Sequence, residues 1–263
     1  MRQRAIERYE SGERPKLFRT QAKAAKAAKY GWYQGILHLS PADSIHATNL
    51  CPMASQGCRA ACLHTAGRGA DYMLQKEGRF KGLNSVQEGR ALRTIWFERD
   101  RDDFIRQLKH EIKLLIGRAK RAGLKPVIRL NGTSDFPFHK LGIMQEFPDV
   151  QFIDYTKNAY KGKLPDNYRL CFSRSESNQD RFLQALARGQ MVSVVFRDKL
   201  PKTYMGRKVV DGDKHDLIHL HEQNVVLGLK AKGKGRKDTS GFVVDVEEES
   251  SQDYGKTLDR MAA

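Results

Sequence analysis

Long apolar runs are absent from this sequence, and none approaches the ~20 residues that a membrane-spanning helix needs. The N-terminus is charged throughout, where a signal peptide would carry an apolar core. These two absences predict a cytoplasmic protein with no membrane partner. Cysteine is scarce: there are four among 263 residues, and three of them, Cys51, Cys58 and Cys62, lie close together. That distribution excludes a secreted disulfide framework and suits metal binding in a reducing compartment. Two nucleotide-binding fingerprints are also missing, since there is no G-x4-G-K-[ST] and no G-x-G-x-x-G after a strand. Ser173 and Ser175 have no G-x-S-x-G elbow around them, which argues against serine catalysis.

Acidic residues are in deficit. Lysine and arginine number 47 against 31 aspartates and glutamates, a formal net charge of +16. Such a field attracts nucleic acid, nucleotides or other polyanions. Much of the excess sits in Arg2, Arg4, Arg8, Arg14, Lys16, Arg19, Lys23, Lys26 and Lys29, and again in Lys230, Lys232, Lys234, Arg236 and Lys237. A solvated surface or a basic arm gives the same composition.

The length suits one large α/β domain. Residues 1–31 are basic and alanine-rich, with helical bias at 21–29, and form an N-terminal arm or loosely docked helix. A barrel-like α/β domain is expected over 32–245, and a polar tail, acidic at 245–249, over 246–263. Helix 103–122 is the clearest element: Phe104, Leu108, Ile112, Leu115 and Ala119 recur at helical spacing, Asp102 is a candidate N-cap, and Gly123 a stop. Strand-like segments fall at 36–39, 127–130, 150–153, 168–172, 191–196 and 225–229, with a helical spacer at 179–187. Strands alternating with helices predict a single mainly parallel sheet, open or closed into a TIM-like partial barrel, with the cysteine loop after the first strand.

Polar residues follow the apolar strands. The segment at 127–130 leads into Asn131, Thr133, Ser134 and Asp135; that at 150–153 into Asp154, Tyr155, Thr156 and Lys157; and that at 168–172 into Ser173, Arg174, Ser175 and Glu176. Ligands of parallel sheets and barrels bind at the carboxyl edge, where these loops emerge. Any one cluster also reads as ordinary helix capping; together they predict a binding edge. Asp211, Asp213 and His215 add carboxylates and an imidazole further on, within a sequence that also suits a turn.

The cysteines follow the pattern C-x6-C-x3-C, with Pro52 and Gly57 between them. Three thiolates on so short a segment can converge on one centre. A structural zinc ion needs a fourth ligand, for which His64 or Cys171 is available. An Fe4S4 cluster needs only the three and keeps one iron open. Cys171 alternates with Leu170 and Phe172 in an apolar strand, as a core residue would, and this favours iron–sulfur over zinc.

Three cysteines after the first strand of an α/β barrel, with polar strand ends, resemble the radical S-adenosylmethionine enzymes, whose usual spacing is C-x3-C-x2-C. The resemblance implies an Fe4S4 cluster whose open iron binds S-adenosylmethionine. A closer likeness is to an uncharacterised bacteriophage family, the gene product eighty-eight family. It is carried by Cys51-Pro52, Gly57-Cys58 and Cys62, Arg129-Leu130-Asn131-Gly132-Thr133-Ser134-Asp135, Asp154-Tyr155-Thr156-Lys157, Phe172-Ser173-Arg174-Ser175-Glu176, Asp211-Gly212-Asp213 and Ser240-Gly241-Phe242. This implies phage or prophage origin, hence the host cytoplasm, and a shared site, without supplying a reaction.

The expectation is therefore an iron–sulfur enzyme acting on a nucleotide, nucleic acid or related phosphate-bearing substrate. Cys51, Cys58 and Cys62 hold the metal, and Asp135, Tyr155, Lys157 and Glu176 are the catalytic candidates. Asn131, Thr133, Ser134, Asp154, Ser173, Arg174, Ser175, Asp211 and Asp213 are the cofactor- and substrate-binding candidates. Two other classes compete: a metal-dependent nuclease or hydrolase using Asp135, Asp154, Asp211, Asp213 and His215, and a non-enzymatic nucleic-acid-binding protein stabilised by zinc.

Overall fold

A computed structural model describes residues 1–18, 22–66, 85–158 and 162–246. In chain order its main elements are α1 (Arg2–Glu10), α2 (Ala22–Ala28), β1 (Trp32–Ile36), α3 (Gln56–Ala60), α4 (Ser85–Arg99), α5 (Arg101–Arg121), β2 (Lys125–Arg129), α6 (Ile143–Glu146), β3 (Gln151–Thr156), β4 (Tyr168–Ser173), α7 (Gln179–Ala187), β5 (Val192–Phe196), β6 (Thr203–Tyr204), β7 (Arg207–Asp211), β8 (Val226–Lys230) and β9 (Val243–Val244). The strands form one sheet in the order β1-β2-β3-β4-β5-β8-β7-β6, with β9 also paired to β5. Of the pairs whose register is described, all are parallel except β6 with β7. The path ends at β1 and β6, so hydrogen bonds do not close it, and of the expected alternatives the open sheet is the one formed. Among the described residues, no helix is long and apolar enough to cross a membrane.

The chain divides into two compact units, Met1–Pro52 with Leu63–Phe152, and Met53–Cys62 with Ile153–Ala263. In the first unit, β1 and β2 pair in register from Trp32↔Lys125 to Ile36↔Arg129. The first strand thus starts and ends before the expected 36–39, because Leu37 and Leu39 are buried in the connection that follows it. Helix α5 lies on this pair. A Cβ on Gly35 would stand 2.3 Å from Leu115 Cδ1, so glycine is what lets the helix approach.

The apolar stripe of α5 is the one the periodicity predicts, with Phe104, Leu108, Ile112, Leu115 and Ala119 all buried. Its cap is Asp100, not Asp102; the Asp100 carboxylate accepts from Asp103 N at 3.0 Å. Gly123, at φ 65°, lies just beyond the end of the helix. Helix α4 was not predicted, for a physical reason. Residues from Gly89 to Phe97 are buried without a break, so the helix has no polar face to alternate with an apolar one.

The N-terminal stretch also takes part in this unit. Ala5 of α1 packs with Ile45, Ala91 and Ile95. Its arginines pair with carboxylates, Arg4 with Glu88 at 3.0 Å, Arg2 with Glu98 at 3.7 Å and Arg14 with Asp103 at 3.7 Å.

In the second unit, β4, β5 and β8 run parallel, with Phe172↔Val192 and Val192↔Val226 in register. Helix α7, with the bounds expected from sequence, covers one face. Phe182, Ala185 and Leu186 pack there with Phe172, Val192, Val194, Phe196 and Val226. Strand β3 continues to Thr156, so Asp154, Tyr155 and Thr156 belong to the strand and do not follow it. The part of the cysteine segment after Ala66, and the tail after Val246, lie outside the described residues.

Candidate functional site

In the first unit, two strand-end connections are laced together. Gly132 N donates to Leu37 O at 2.9 Å, and Thr133 Oγ1 donates to Leu39 O at 2.6 Å. A Cβ on Gly132 would stand 2.6 Å from Leu37 O, so only glycine allows the approach. Asn131 closes the β2 loop on itself: its Oδ1 accepts from Ser134 Oγ and Phe136 N, both at 2.9 Å, while Nδ2 donates to Phe136 O. Asn131 and Ser134 are buried, and these bonds hold the loop in shape.

Cys51 is fixed to that loop. Its Sγ lies 3.8 Å from Thr133 O, and Asp135 N donates to Leu50 O at 2.8 Å. Asn49 Oδ1 accepts from Cys51 N at 2.9 Å. The first cysteine therefore sits at the carboxyl end of β2, beside Thr133 and Asp135.

His64, the candidate fourth zinc ligand, is buried against Arg90 of α4. Arg90 Nη1 lies 3.1 Å from His64 Nδ1 and 3.2 Å from His64 O. A guanidinium only donates, so Nδ1 must accept, and the ring proton of the neutral imidazole is on Nε2. Neither nitrogen then offers a lone pair to a metal.

In the second unit, Cys58 lies in the short helix α3. Ser55 caps this helix, with Oγ accepting from Cys58 N at 3.1 Å. The same hydroxyl donates to Glu176 Oε2 at 2.8 Å, and Gly57 N donates to Glu176 Oε1 at 2.7 Å. Both oxygens of the Glu176 carboxylate thus hold the cysteine segment at the carboxyl end of β4. Charge-assisted bonds of this kind are the stronger ones.

Gly57 is wedged beneath the turn before β9. A Cβ there would stand 2.0 Å from Ser240 Oγ, 2.8 Å from Phe242 Cβ and 2.9 Å from Glu176 Oε1. The turn is held in its own right. Asp238 accepts from Ser240 Oγ at 2.7 Å and from Val243 N at 2.9 Å. Burial raises the Asp238 carboxyl, but these bonds and the Arg197 charge outweigh it and hold the group below its ordinary value. Arg174 Nη1 donates to Gly241 O at 2.9 Å, and Lys157 Nζ lies 5.6 Å from the centre of the Phe242 ring. Glu176, Arg174, Lys157 and Gly57, far apart in sequence, meet around Ser240-Gly241-Phe242.

The remaining predicted residues are dispersed within this unit. Asp154 is buried, with Tyr168 OH donating to it at 3.3 Å. Ser173 accepts from Ser193 Oγ at 3.0 Å, and Ser175 is enclosed by Asn178, whose Oδ1 accepts from Ser175 N at 2.7 Å. Asp211 accepts from Asp213 N, and Asp213 in turn pairs with Lys232 at 2.5 Å. His215 stacks on His221 with ring centres 5.1 Å apart. Of the acidic residues of the hydrolase reading, Asp154 thus has its own partner apart from Asp211 and Asp213.

None of the three clustered cysteines is in a disulfide and all are partly exposed, whereas Cys171 is buried in β4. The donor chemistry suits a soft metal or an iron–sulfur cluster. Among the described residues, no three of His, Cys, Asp and Glu already stand as a ligand set. Sequence reading missed Arg90, Ser55 and Ser193; the Ser55-x-x-Cys58 cap was the one local signal available.

The family profile described as Gene product 88 matches residues 15–246. The chain belongs to the gene product 88 family. No curated protein and no solved structure matches it significantly.

Two predictions follow from these contacts. Gly57→Ala forces Ser240 or α3 to move and lowers stability by about 1–3 kcal/mol in urea unfolding; an unchanged midpoint contradicts the packing. Burial, with Arg169, His215 and His221 adding to it, pushes His219 down to about 4. The unfolded chain takes up that proton first, below a pH of roughly 6.5, so stability is full above this and falls as pH drops towards 4. The urea midpoint of the protein therefore falls relative to that of His219→Gln from pH 7.5 to pH 5, and parallel profiles contradict it.

Proposed function

We propose that this protein is a three-cysteine iron–sulfur enzyme of the radical S-adenosylmethionine kind, working at the carboxyl edge of its mainly parallel sheet on a nucleotide or nucleic acid. Cys51, Cys58 and Cys62 are the ligands. The observation that carries this reading is the Arg90–His64 hydrogen bond, which engages the histidine that the sequence offers as a fourth zinc ligand. Burial of Cys171 in the strand core removes the other candidate in the same way. Three thiols, with His64 and Cys171 engaged elsewhere, are the donor set that would hold a cluster with an open iron, which would supply a place for a cofactor or substrate to bind.

The protein's own groups supply position and charge. Glu176 acts as a positioning residue, since both its oxygens are spent on Ser55 and Gly57. Asn131 and Ser134 do the same for the loop that carries Cys51. Lys157 and Tyr155 remain the candidates for proton donation, and Arg174 orders the turn at Gly241. Asp135 completes the set beside Cys51.

Anaerobically purified variants test this directly. Cys51→Ser, Cys58→Ser and Cys62→Ser each lose iron and sulfide, while Cys171→Ser and His64→Ala keep them. Stoichiometric zinc that disappears in His64→Ala is the result expected of the zinc-stabilised nucleic-acid-binding protein and overturns the proposal.

A further inference from the structure

Part of the basic charge at the N-terminus is already engaged. Arg2, Arg4, Arg8 and Arg14 each pair with a carboxylate of the same unit. Helix α5 shows the opposite arrangement. Its Glu111 is turned inward, accepting from Leu17 N and Phe18 N at 2.9–3.0 Å. Asp103 is likewise engaged by Trp96 Nε1 and Arg106. From Arg106 to the end of the helix, every exposed charged residue is a cation: Arg106, Lys113, Arg118, Lys120 and Arg121. Among the described residues, Lys113, Arg118, Lys120 and Arg121 make no ion pair.

The four unpaired cations lie on the outer face of the helix over roughly 12 Å at 1.5 Å per residue. At the N-terminal half of the face an open groove of about 560 Å³ runs between Arg101, Arg106, Lys109, Lys113 and Leu141. Lys109 and Glu146 pair across it at 2.5 Å and Arg106 pairs with Asp103, whereas Lys113 makes no ion pair among the described residues. An anionic membrane is the poorer fit, because surface-binding helices need an apolar face to insert, and that of α5 is buried in the core. A linear array of unpaired cations on a rigid rod matches a phosphate backbone.

We infer that the outer face of α5 binds the sugar–phosphate backbone of nucleic acid, without reading sequence. This surface is separate from the cysteines, and the inference stands whether or not they hold a cluster. Binding of the full-length protein to a fluorescent 20-mer duplex and a 20-mer single strand, across a salt series, tests it. The triple variant Lys113→Gln, Arg118→Gln, Lys120→Gln lowers affinity at least tenfold at low salt. It also makes the slope of log K against log salt shallower by roughly 2 to 3, as expected for three lost phosphate contacts. A control triple with the same loss of charge, Lys202→Gln, Lys208→Gln, Lys214→Gln, on exposed lysines of the other unit, keeps both affinity and slope near those of the parent. Equal losses in the two triples, no loss in the first, or preferential binding to anionic lipid vesicles overturns the inference. Circular dichroism melts that superpose on the parent confirm that the variants are folded.

Discussion

The carboxylate of Glu176 is the tie on which the placement of Cys58 depends. It accepts one bond from a hydroxyl and one from a backbone amide of the cysteine segment, at 2.8 and 2.7 Å. Ser55 passes the constraint on, because the oxygen that donates to Glu176 also caps the amide of Cys58. The helix so held is only a turn and a half long and could not persist alone, since nucleation costs more than so few hydrogen bonds return. What keeps Cys58 at the end of β4 is therefore a tertiary contact, and the segment Met53–Cys62 joins the second unit even though the sequence on either side of it belongs to the first.

Close approach is the second constraint. Gly57 beneath Ser240 and Phe242, Gly132 against Leu37, and Gly35 under Leu115 each occupy a place where a Cβ would come within 3 Å of another residue. These glycines serve by absence of volume. Two of the three bring a strand-end loop against the segment that carries a cysteine or leads to one, which connects packing at the carboxyl edge to the chemistry proposed there.

Strands and the amphipathic helices were legible in the sequence because their burial is one-sided. Helix α5 shows its stripe, and α7 has the bounds that its period and flanks suggest. Helix α4 was hidden because it is enclosed on all sides, and its arginines Arg90 and Arg93 look like surface residues until their partners, His64 and the carbonyls of His38 and Lys16, are seen. The run of polar residues at and after the strand ends was legible. The division of labour within it was not: Asn131, Ser134 and Glu176 are the types that bind ligands, yet their hydrogen bonds close loops and hold the cysteine helix. A long-range partner such as Ser55 for Glu176 leaves no trace in local spacing.

Charge shows the same limit. Counting lysines and arginines points to the N-terminus, whereas Arg2, Arg4 and Arg14 there pair with Glu98, Glu88 and Asp103, and four exposed cations of α5 make no ion pair among the described residues. Composition gives the sign of the field, and only folding says where it is exposed. For the cysteines, the most direct measurement is iron, sulfide and zinc analysis, with an absorption spectrum, of the protein purified without oxygen. About four irons and four sulfides per chain with a broad band near ~400 nm are predicted; one equivalent of zinc in a colourless protein contradicts the account.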